Sequence, residues 1–274
     1  MKTSKSSKHV QRRNEAFAER TATRIWHEVP SETNPYIAQE LRCHGYDMME
    51  LTQKRSFVDV LYLLFRGELP SSEEAGLLEA LLIGFINLGP RHPATRAAMN
   101  AGVGKTDPTL ILPIALTTLS GRHNAAGTLE DAMRFLRSHK RKPPLQVLEE
   151  LLSAVNPPEE GDWHIAPGFG SYYGGTDLIS ARMANHLVGL AGAGPALQWG
   201  RDFVELLGER EMGWLATGVV AAVMTDLGFS PRAAAGVYQI ISAPGLLAHG
   251  VELANKPLTA MPFIADEDYV IEQG

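Results

Sequence analysis

The chain has 274 residues, of which 45% are hydrophobic and 20% charged, a composition typical of a globular protein and not of a disordered or fibrous one. Its formal net charge of -6 gives no electrostatic support for a nucleic-acid partner. No apolar run reaches the roughly 18 to 20 residues that cross a bilayer, so no membrane partner is expected. The single cysteine, Cys43, excludes an internal disulfide, and together with the lack of a signal-peptide core it leads us to expect a cytoplasmic protein.

Helical periodicity dominates the sequence. Residues 1–20 are polar, basic and rich in serine, which predicts a disordered tail. Ser56 is a candidate N-cap of an amphipathic helix that Gly67 ends, and Ser71 with Glu74 is typical of the capping box that begins another helix. The same helical pattern recurs in the segments that begin at Thr128, Pro143 and Ser230. Because strand-like alternation is hard to find, the sequence predicts an all-α protein of about nine to twelve helices in more than one layer.

Two familiar kinds of site are not expected. The GVGKT stretch at residues 102–106 imitates the end of a phosphate-binding loop, but the glycine required five positions before Gly104 is Met99, and the preceding residues read as a helix. The nine histidines are scattered, and no group of histidine, cysteine and acidic residues has the spacing of metal ligands. The sequence therefore predicts neither a nucleotide loop nor a metal site.

The stretch LSGRHNAAG at residues 119–127 places His123 among small residues. One interpretation is a solvated or hydrogen-bonded loop histidine. The other is that the small neighbours let a ligand approach backbone amides while the imidazole reaches into the same cavity. The local sequence leaves both open.

Four stretches in a fixed order carry a family resemblance. They are HGYDMMELTQKRSFVDVLYLLFRGELP from His44, LSGRHNAAG from Leu119, PGFGSYYGGTD from Pro167, and TGVVAAVMTDLGFSP from Thr217 with ISAPGLLAHGVE after it. In this order and spacing the chain resembles the citrate synthase superfamily, most closely its short members of the citryl-CoA lyase type. The resemblance covers nearly everything after about residue 30.

The resemblance implies an all-α fold with a large helical domain, a smaller helical domain that closes over the substrate, and a homodimer. The domain boundaries that we expect on this basis are a tail at 1–20, the first part of the large domain at 21–127, the small domain at 128–231 and the C-terminal part of the large domain at 232–274. Such enzymes make or break the carbon–carbon bond between an acyl-CoA and a keto acid.

The resemblance also assigns roles to particular residues. It places His123 where the family has the histidine that stabilises the enol oxygen, Ser171 at the position of a second histidine, and Thr217 at the position of the catalytic aspartate. These three are the predicted catalytic residues. The predicted substrate-binding residues are Arg91, His92, Arg122, Gly168, Phe169, Gly170, Tyr172, Arg182 and Ser242.

The departures from the family pattern affect the expected chemistry. A threonine hydroxyl cannot act as a base near neutral pH unless another group activates it, and Asp226, Glu209 and Glu211 are unconvincing replacements. The resemblance also places Leu178 and Ile179 after Asp177 where the family has an Asp-Pro-Arg run, and Ser242 where it has an arginine. Because these arginines bind the carboxylates of the keto acid in the family, we do not expect oxaloacetate or citrate as a substrate. We therefore expect a lyase or Claisen-type acyltransferase that acts on an acyl-CoA and a small, less charged carbonyl compound, with the CoA thioester as substrate and no separate cofactor. The alternative is a non-catalytic homologue that binds acyl-CoA or a partner protein.

Overall fold

The computed structural model describes residues 18–154, 156–158 and 161–272. The chain divides into two compact units, one up to Arg55 and one from Ser56 onward. Most of the predicted disordered tail, residues 1–17, lies outside the described residues, and the predicted domain boundaries stay predictions. No described helix combines the length and the apolar character that a membrane crossing requires.

The first unit contains an antiparallel sheet that the sequence analysis did not expect. Strands β1 (Trp26–Pro30), β2 (Ala38–Cys43) and β3 (Tyr46–Asp47) pair in the order β1-β2-β3, and α1 (Met48–Lys54) follows directly. Most residues of β1 and β2 are exposed, so the strands lack the alternation of apolar and polar residues by which a half-buried strand is recognised. The expectation of a chain without strands was wrong for this reason.

The link between β2 and β3 is a two-residue turn. His44 and Gly45 both have positive φ, 47° and 89°, the conformation that tight hairpins require. Cys43, just before the turn, is buried, and burial raises the pKa of its thiol. Asp47, just after it, accepts a hydrogen bond from the Glu50 amide and so caps α1.

The second unit is helical, and with α1 it brings the described chain to eleven α-helices, which confirms the predicted all-α class. The ten helices of this unit are α2 (Phe57–Arg66), α3 (Ser72–Gly84), α4 (Pro93–Val103), α5 (Pro108–Leu119), α6 (Leu129–His139), α7 (Pro144–Ala154), α8 (Leu178–Val188), α9 (Pro195–Leu207), α10 (Ala216–Asp226) and α11 (Ala234–Ala254). A two-stranded pairing of β4 (Phe169–Gly170) with β5 (Gly213–Trp214) joins two of the loops.

The predicted helix ends are confirmed where the sequence marks them. Ser56 and Ser71 each accept a hydrogen bond from the third residue of the helix that follows, and the acidic side chain at that residue bonds back to the serine amide. Gly67 ends α2 in the left-handed conformation, with φ 81°. In GVGKT, Lys105 Nζ donates hydrogen bonds to the carbonyl oxygens of Ala254 and Lys256, so this lysine satisfies carbonyl groups at the C-terminal end of α11.

Helix α10 forms the centre of the core. Its residues from Thr217 to Thr225 are all buried, and it packs against α6 and α9. A cluster of aromatic rings fills the space between these helices and the loop that contains β4; its members are Phe135, Phe169, Trp199, Phe203 and Trp214. Because α10 is buried on all sides, its two ends are fixed relative to the rest of the unit.

Asp226, the last residue of α10, caps the first turn of another helix. Its carboxylate accepts hydrogen bonds from the amides of Gly194, Ala196 and Leu197 at 3.1, 2.7 and 2.9 Å. Gly194 stands at the N-cap of α9 and has no side chain, so Asp226 supplies the cap from a distant point of the chain. With its oxygens occupied in this way, Asp226 is unavailable as the replacement base.

Replacing Asp226 by alanine leaves three amides without their acceptor. We expect Asp226→Ala to lower the free energy of unfolding by about 3 kcal/mol, and Asp226→Asn, which keeps one acceptor oxygen, to lower it by less. Urea unfolding measures both. The control is Asp202→Ala, since Asp202 lies on α9 and pairs only with exposed Arg201, an ion pair worth about 0 to 1 kcal/mol. Equal losses for the variants at 226 and 202 would contradict the capping role.

Candidate active site

Three loop segments enclose a cavity of about 210 Å³ at the N-terminal end of α10. The residues that line it are Arg122, Asn124, Thr128, Asp131, His164, Ala166, Pro167, Gly168, Leu215 and Thr217. They come from residues 122–131, 164–168 and 215–217. The structure thus brings together three predicted site residues, Arg122, Gly168 and Thr217, from three distant parts of the sequence.

His123 lies on the exposed side of the first segment, between two residues that line the cavity, Arg122 and Asn124. The following residue, Asn124, has φ 47°, a left-handed conformation that asparagine tolerates better than most residues. Besides burial, the charge of His123 contributes to lowering the pKa of both His92 and His164. His123 is thus exposed beside the cavity and interacts electrostatically with both imidazoles.

His92, a predicted binding residue, holds this loop in place. Its Nδ1 accepts a hydrogen bond from the Ala94 amide, which makes it the N-cap of α4, and its Nε2 lies 3.4 Å from the carbonyl oxygen of Asn124. These two contacts require a proton on Nε2 and none on Nδ1, so they fit the neutral ring. Burial lowers the pKa of His92, in agreement with the neutral form.

His164 is the site residue that the sequence analysis missed. It lines the cavity beside Thr217, and its ring carbon Cδ2 would lie only 2.8 Å from a Cβ atom at Gly170. Burial lowers the pKa of His164, and the charge of His123 adds to the lowering while Asp162 opposes it. An imidazole thus occupies the space beside PGFG, although the residue directly after that motif is Ser171. The sequence signal is the histidine three residues before PGFG, since a glycine at 170 leaves room for its ring.

The polar groups of the cavity include one acceptor without a protein partner. Oδ1 of Asn124 is buried and accepts no hydrogen bond from the described residues. Arg122 donates to Asp131 at 2.8 Å, and both side chains are more than half exposed. Among the described lining residues Asp131 supplies the only carboxylate, and its pairing leaves the cavity with little net charge.

The position of the PGFG turn depends on a contact between two glycines. Gly168 has φ 87°, and a Cβ on it would lie 2.6 Å from the Cα of Gly218 in α10. A Cβ on Gly218 would in turn overlap the carbonyl oxygen of Gly168. That same carbonyl accepts a hydrogen bond from the Leu215 amide at 3.0 Å. The turn therefore sits directly on the first turn of α10, where Thr217 enters the cavity wall.

Ser171 and its neighbours organise the loop behind the cavity. The hydroxyl of Ser171 accepts from the Trp163 amide at 2.9 Å, and Asp162 accepts from the amides of Tyr173 and Gly174. Ser171 does not line the cavity; its bonds to residues 162 and 163 fix the segment that carries His164. Its predicted catalytic role stays a prediction.

The other predicted binding residues are spread over the unit. Phe169 is fully buried in the aromatic cluster, Gly170 contacts the backbone of residues 163 and 164, and Tyr172 is half-buried against the ring of Tyr173. Of the remaining three, Arg91 and Arg182 are exposed, and Ser242 is completely buried in α11. None of these six residues lines the cavity. Their roles as binding residues stay predictions.

Comparison with solved structures identifies relatives of this fold. The citryl-CoA lyase of Hydrogenobacter thermophilus superposes with a TM-score of 0.75 and 25% identity over 93% of this chain and 94% of the lyase. The ATP citrate lyase of Methanothrix soehngenii, solved with citrate and coenzyme A, gives 0.65 and 17% over 92% of this chain and 44% of its own. The citrate synthase of Thermoplasma acidophilum, solved with carboxymethyl coenzyme A and oxaloacetate, gives 0.61 and 16% over 80% and 58%.

These structures confirm the resemblance to the citrate synthase superfamily and the predicted fold. No protein-family model matches the chain, and no curated protein does. The relationship therefore rests on structural similarity, because these three solved structures share 25%, 17% and 16% of their residues with the chain.

The contact between Gly168 and Gly218 predicts an unusual response to alanine. Within a helix Gly→Ala normally stabilises, by up to about 1 kcal/mol, but at 218 the new methyl group must displace the Gly168 carbonyl. We expect Gly218→Ala to lower the free energy of unfolding by about 1 to 3 kcal/mol. The matched control is Gly76→Ala, an exposed position in α3 with no atom within 4 Å of the added Cβ, which we expect to stabilise. Urea unfolding compares them, and stabilisation by both substitutions would contradict the contact.

Proposed function

We propose that this citryl-CoA lyase-like member of the citrate synthase superfamily is an enzyme that acts on an acyl-CoA thioester and forms or cleaves a carbon–carbon bond next to the thioester carbonyl. One observation carries the proposal: residues 122–131, 164–168 and 215–217 meet at one cavity, which is lined by His164, whose pKa burial lowers, and flanked by His123, whose two neighbours line it. The thioester is the substrate in this proposal, and no separate cofactor is invoked.

The cavity suits the pantetheine end of a CoA thioester. The side chains of Ala166, Pro167 and Gly168 are small, so an extended chain can run along their backbone. In this arrangement the thioester group lies beside Thr217 and His164, with its carbonyl oxygen turned toward His123.

The residues present suggest how the missing aspartate is replaced. Thr217 has no group that would make its hydroxyl a base, whereas His164 is held in the neutral form because burial lowers its pKa. In the proposed step His164 takes the α-proton of the acyl group, and an N–H of His123 donates to the oxygen on which the enolate charge develops. The carbanion then attacks the carbonyl carbon of the second substrate, whose oxygen takes a proton, and the lyase reaction is the reverse.

The charges of the cavity set the class of the second substrate. Arg122 is the arginine that lines it, and its guanidinium already bonds to Asp131. A compound with two or three carboxylates, such as oxaloacetate or citrate, would lack the paired arginines that bind such groups. We therefore propose a small carbonyl compound with one carboxylate at most.

The same proposal includes a homodimer in the cytoplasm. Exposed apolar side chains recur on α5, on α11 and in the C-terminal segment, and a second copy of the chain would cover such surfaces. The residues concerned are Leu110, Ile114, Ile240, Leu247, Val251, Phe263 and Ile264. A single cysteine that is buried and free fits a reducing compartment.

Exchange of acyl α-protons tests the chemistry without knowledge of the second substrate. We expect the protein in deuterated water to introduce deuterium into acetyl-CoA or propionyl-CoA, as measured by mass spectrometry. His123→Ala and His164→Ala should each slow the exchange by about 100-fold or more. The rate should fall as the pH drops below 6.5, the ordinary pKa of histidine, because protonated His164 cannot accept the proton.

The control for both variants is His186→Ala, which removes an exposed histidine of α8 that does not line the cavity. Unfolding midpoints close to that of the wild type show that the variants are folded. Exchange that survives in His164→Ala at the wild-type rate would overturn the assignment of the base. Binding of the thioester without any exchange, in the presence of small carbonyl compounds as well, would favour the non-catalytic homologue.

A further inference from the structure

A second and more open cavity lies at the other end of the α6–α10 pair. It has a volume of about 600 Å³ and is lined by Arg134, Arg137, Ser138, Ser230, Pro231 and Arg232. The first three residues belong to the second half of α6, and the others lie in the turn between α10 and α11. Three guanidinium groups thus face one concave surface, and none of the lining residues is acidic.

Two of the three arginines have their charge available. Arg134 is bonded to Glu130 one turn earlier on the same helix. Neither Arg137 nor Arg232 forms an ion pair with any residue in the described ranges, and both are exposed. Ser230 stands at the start of the short helical turn Pro231–Ala233 and makes no side-chain capping bond there, so its hydroxyl can also donate to a ligand.

The positive charge of this surface extends along the chain. Residues 134–142 read RFLRSHKRK and contain five arginines and lysines, and residues 132–148 contain no aspartate or glutamate. Within a protein of formal net charge -6, this stretch places five cations at one end of α6. Arg134 pairs with Glu130 and Lys142 with Glu150, but Arg137 and Arg232 keep their charge, and an excess of cations attracts anions.

We propose that this basic cavity binds the phosphate group of a small molecule. Guanidinium groups match the geometry of phosphate oxygens with paired N–H donors, and two of them converge here with a free serine hydroxyl. The residues that line the cavity include no aromatic ring on which a nucleic-acid base could stack, so a small phosphorylated ligand fits better than RNA or DNA.

The basic cavity is distinct from the candidate active site but adjoins it along α6. Asp131 lines the active-site cavity and Arg137 the basic cavity, and these residues are about 9 Å apart along the helix axis. The phosphate can therefore come from two sources. One is the phosphorylated end of the CoA thioester itself, which rests on the proposed function; the other is a separate phosphorylated ligand, which does not.

Calorimetric titrations with ADP, inorganic phosphate and CoA test the site. We expect the double substitution Arg137→Gln with Arg232→Gln to weaken binding of ADP by about tenfold or more, and binding of phosphate likewise. Arg201→Gln, which removes an exposed arginine on α9 outside both cavities, should leave ADP binding unchanged. Sulfate at the same ionic strength controls for screening, and unfolding midpoints show that each variant is folded.

The outcomes separate the two sources and the two proposals. If ADP and CoA compete for binding, the cavity holds the phosphates of the thioester; if both bind at once, it holds a second ligand. Weakened ADP binding in the double variant supports the anion site with either result and even when deuterium exchange is absent, so the two proposals fail independently. If the double variant binds ADP and phosphate as tightly as the wild type, or if the wild type binds neither, the proposal is overturned.

Discussion

The candidate site depends on the close contact between two glycines, Gly168 and Gly218. Because neither has a side chain, the PGFG turn can rest on the first turn of α10, and the carbonyl oxygen of Gly168 accepts a hydrogen bond from the Leu215 amide there. Helix α10 is buried along its length, so it cannot move away to accommodate a methyl group. The same close contact places His164, which precedes the turn, in the wall of the cavity together with Thr217. A cavity with this shape thus follows from backbone packing as much as from the residues that face it.

The electrostatics of the cavity distinguish it from a site made for a highly charged substrate. Burial keeps His92 and His164 in the neutral form, and the bond between Arg122 and Asp131 cancels two opposite charges. A neutral imidazole can accept a proton, and it does so without the repulsion that a carboxylate would feel near a developing enolate. The strong positive charge of the unit lies elsewhere, at the far end of α6, where it suits a phosphate.

Local signals in the sequence predicted much of the helical fold. The caps at Ser56 and Ser71 depend on neighbouring residues and were correct, whereas the sheet was missed because its strands are exposed and lack a buried face. The role of Asp226 could not be predicted, since its three partners lie about 30 residues earlier in the chain. The resemblance to the family predicted that Arg122, Gly168 and Thr217 belong to one site, and the structure brings them together. Matching the residue after PGFG to the family's histidine could not show that His164, before PGFG, occupies the space beside Gly170.

The central claim is that residues 122–131, 164–168 and 215–217 hold the acyl end of a CoA thioester. The most direct measurement is a crystal structure with carboxymethyl coenzyme A, an unreactive analogue already bound by the citrate synthase of Thermoplasma acidophilum. We predict that its acyl end lies in the cavity, with its carboxymethyl group within hydrogen-bonding distance of His123 and His164. An analogue bound with its acyl end outside this cavity, or with no contact to either histidine, would contradict the account.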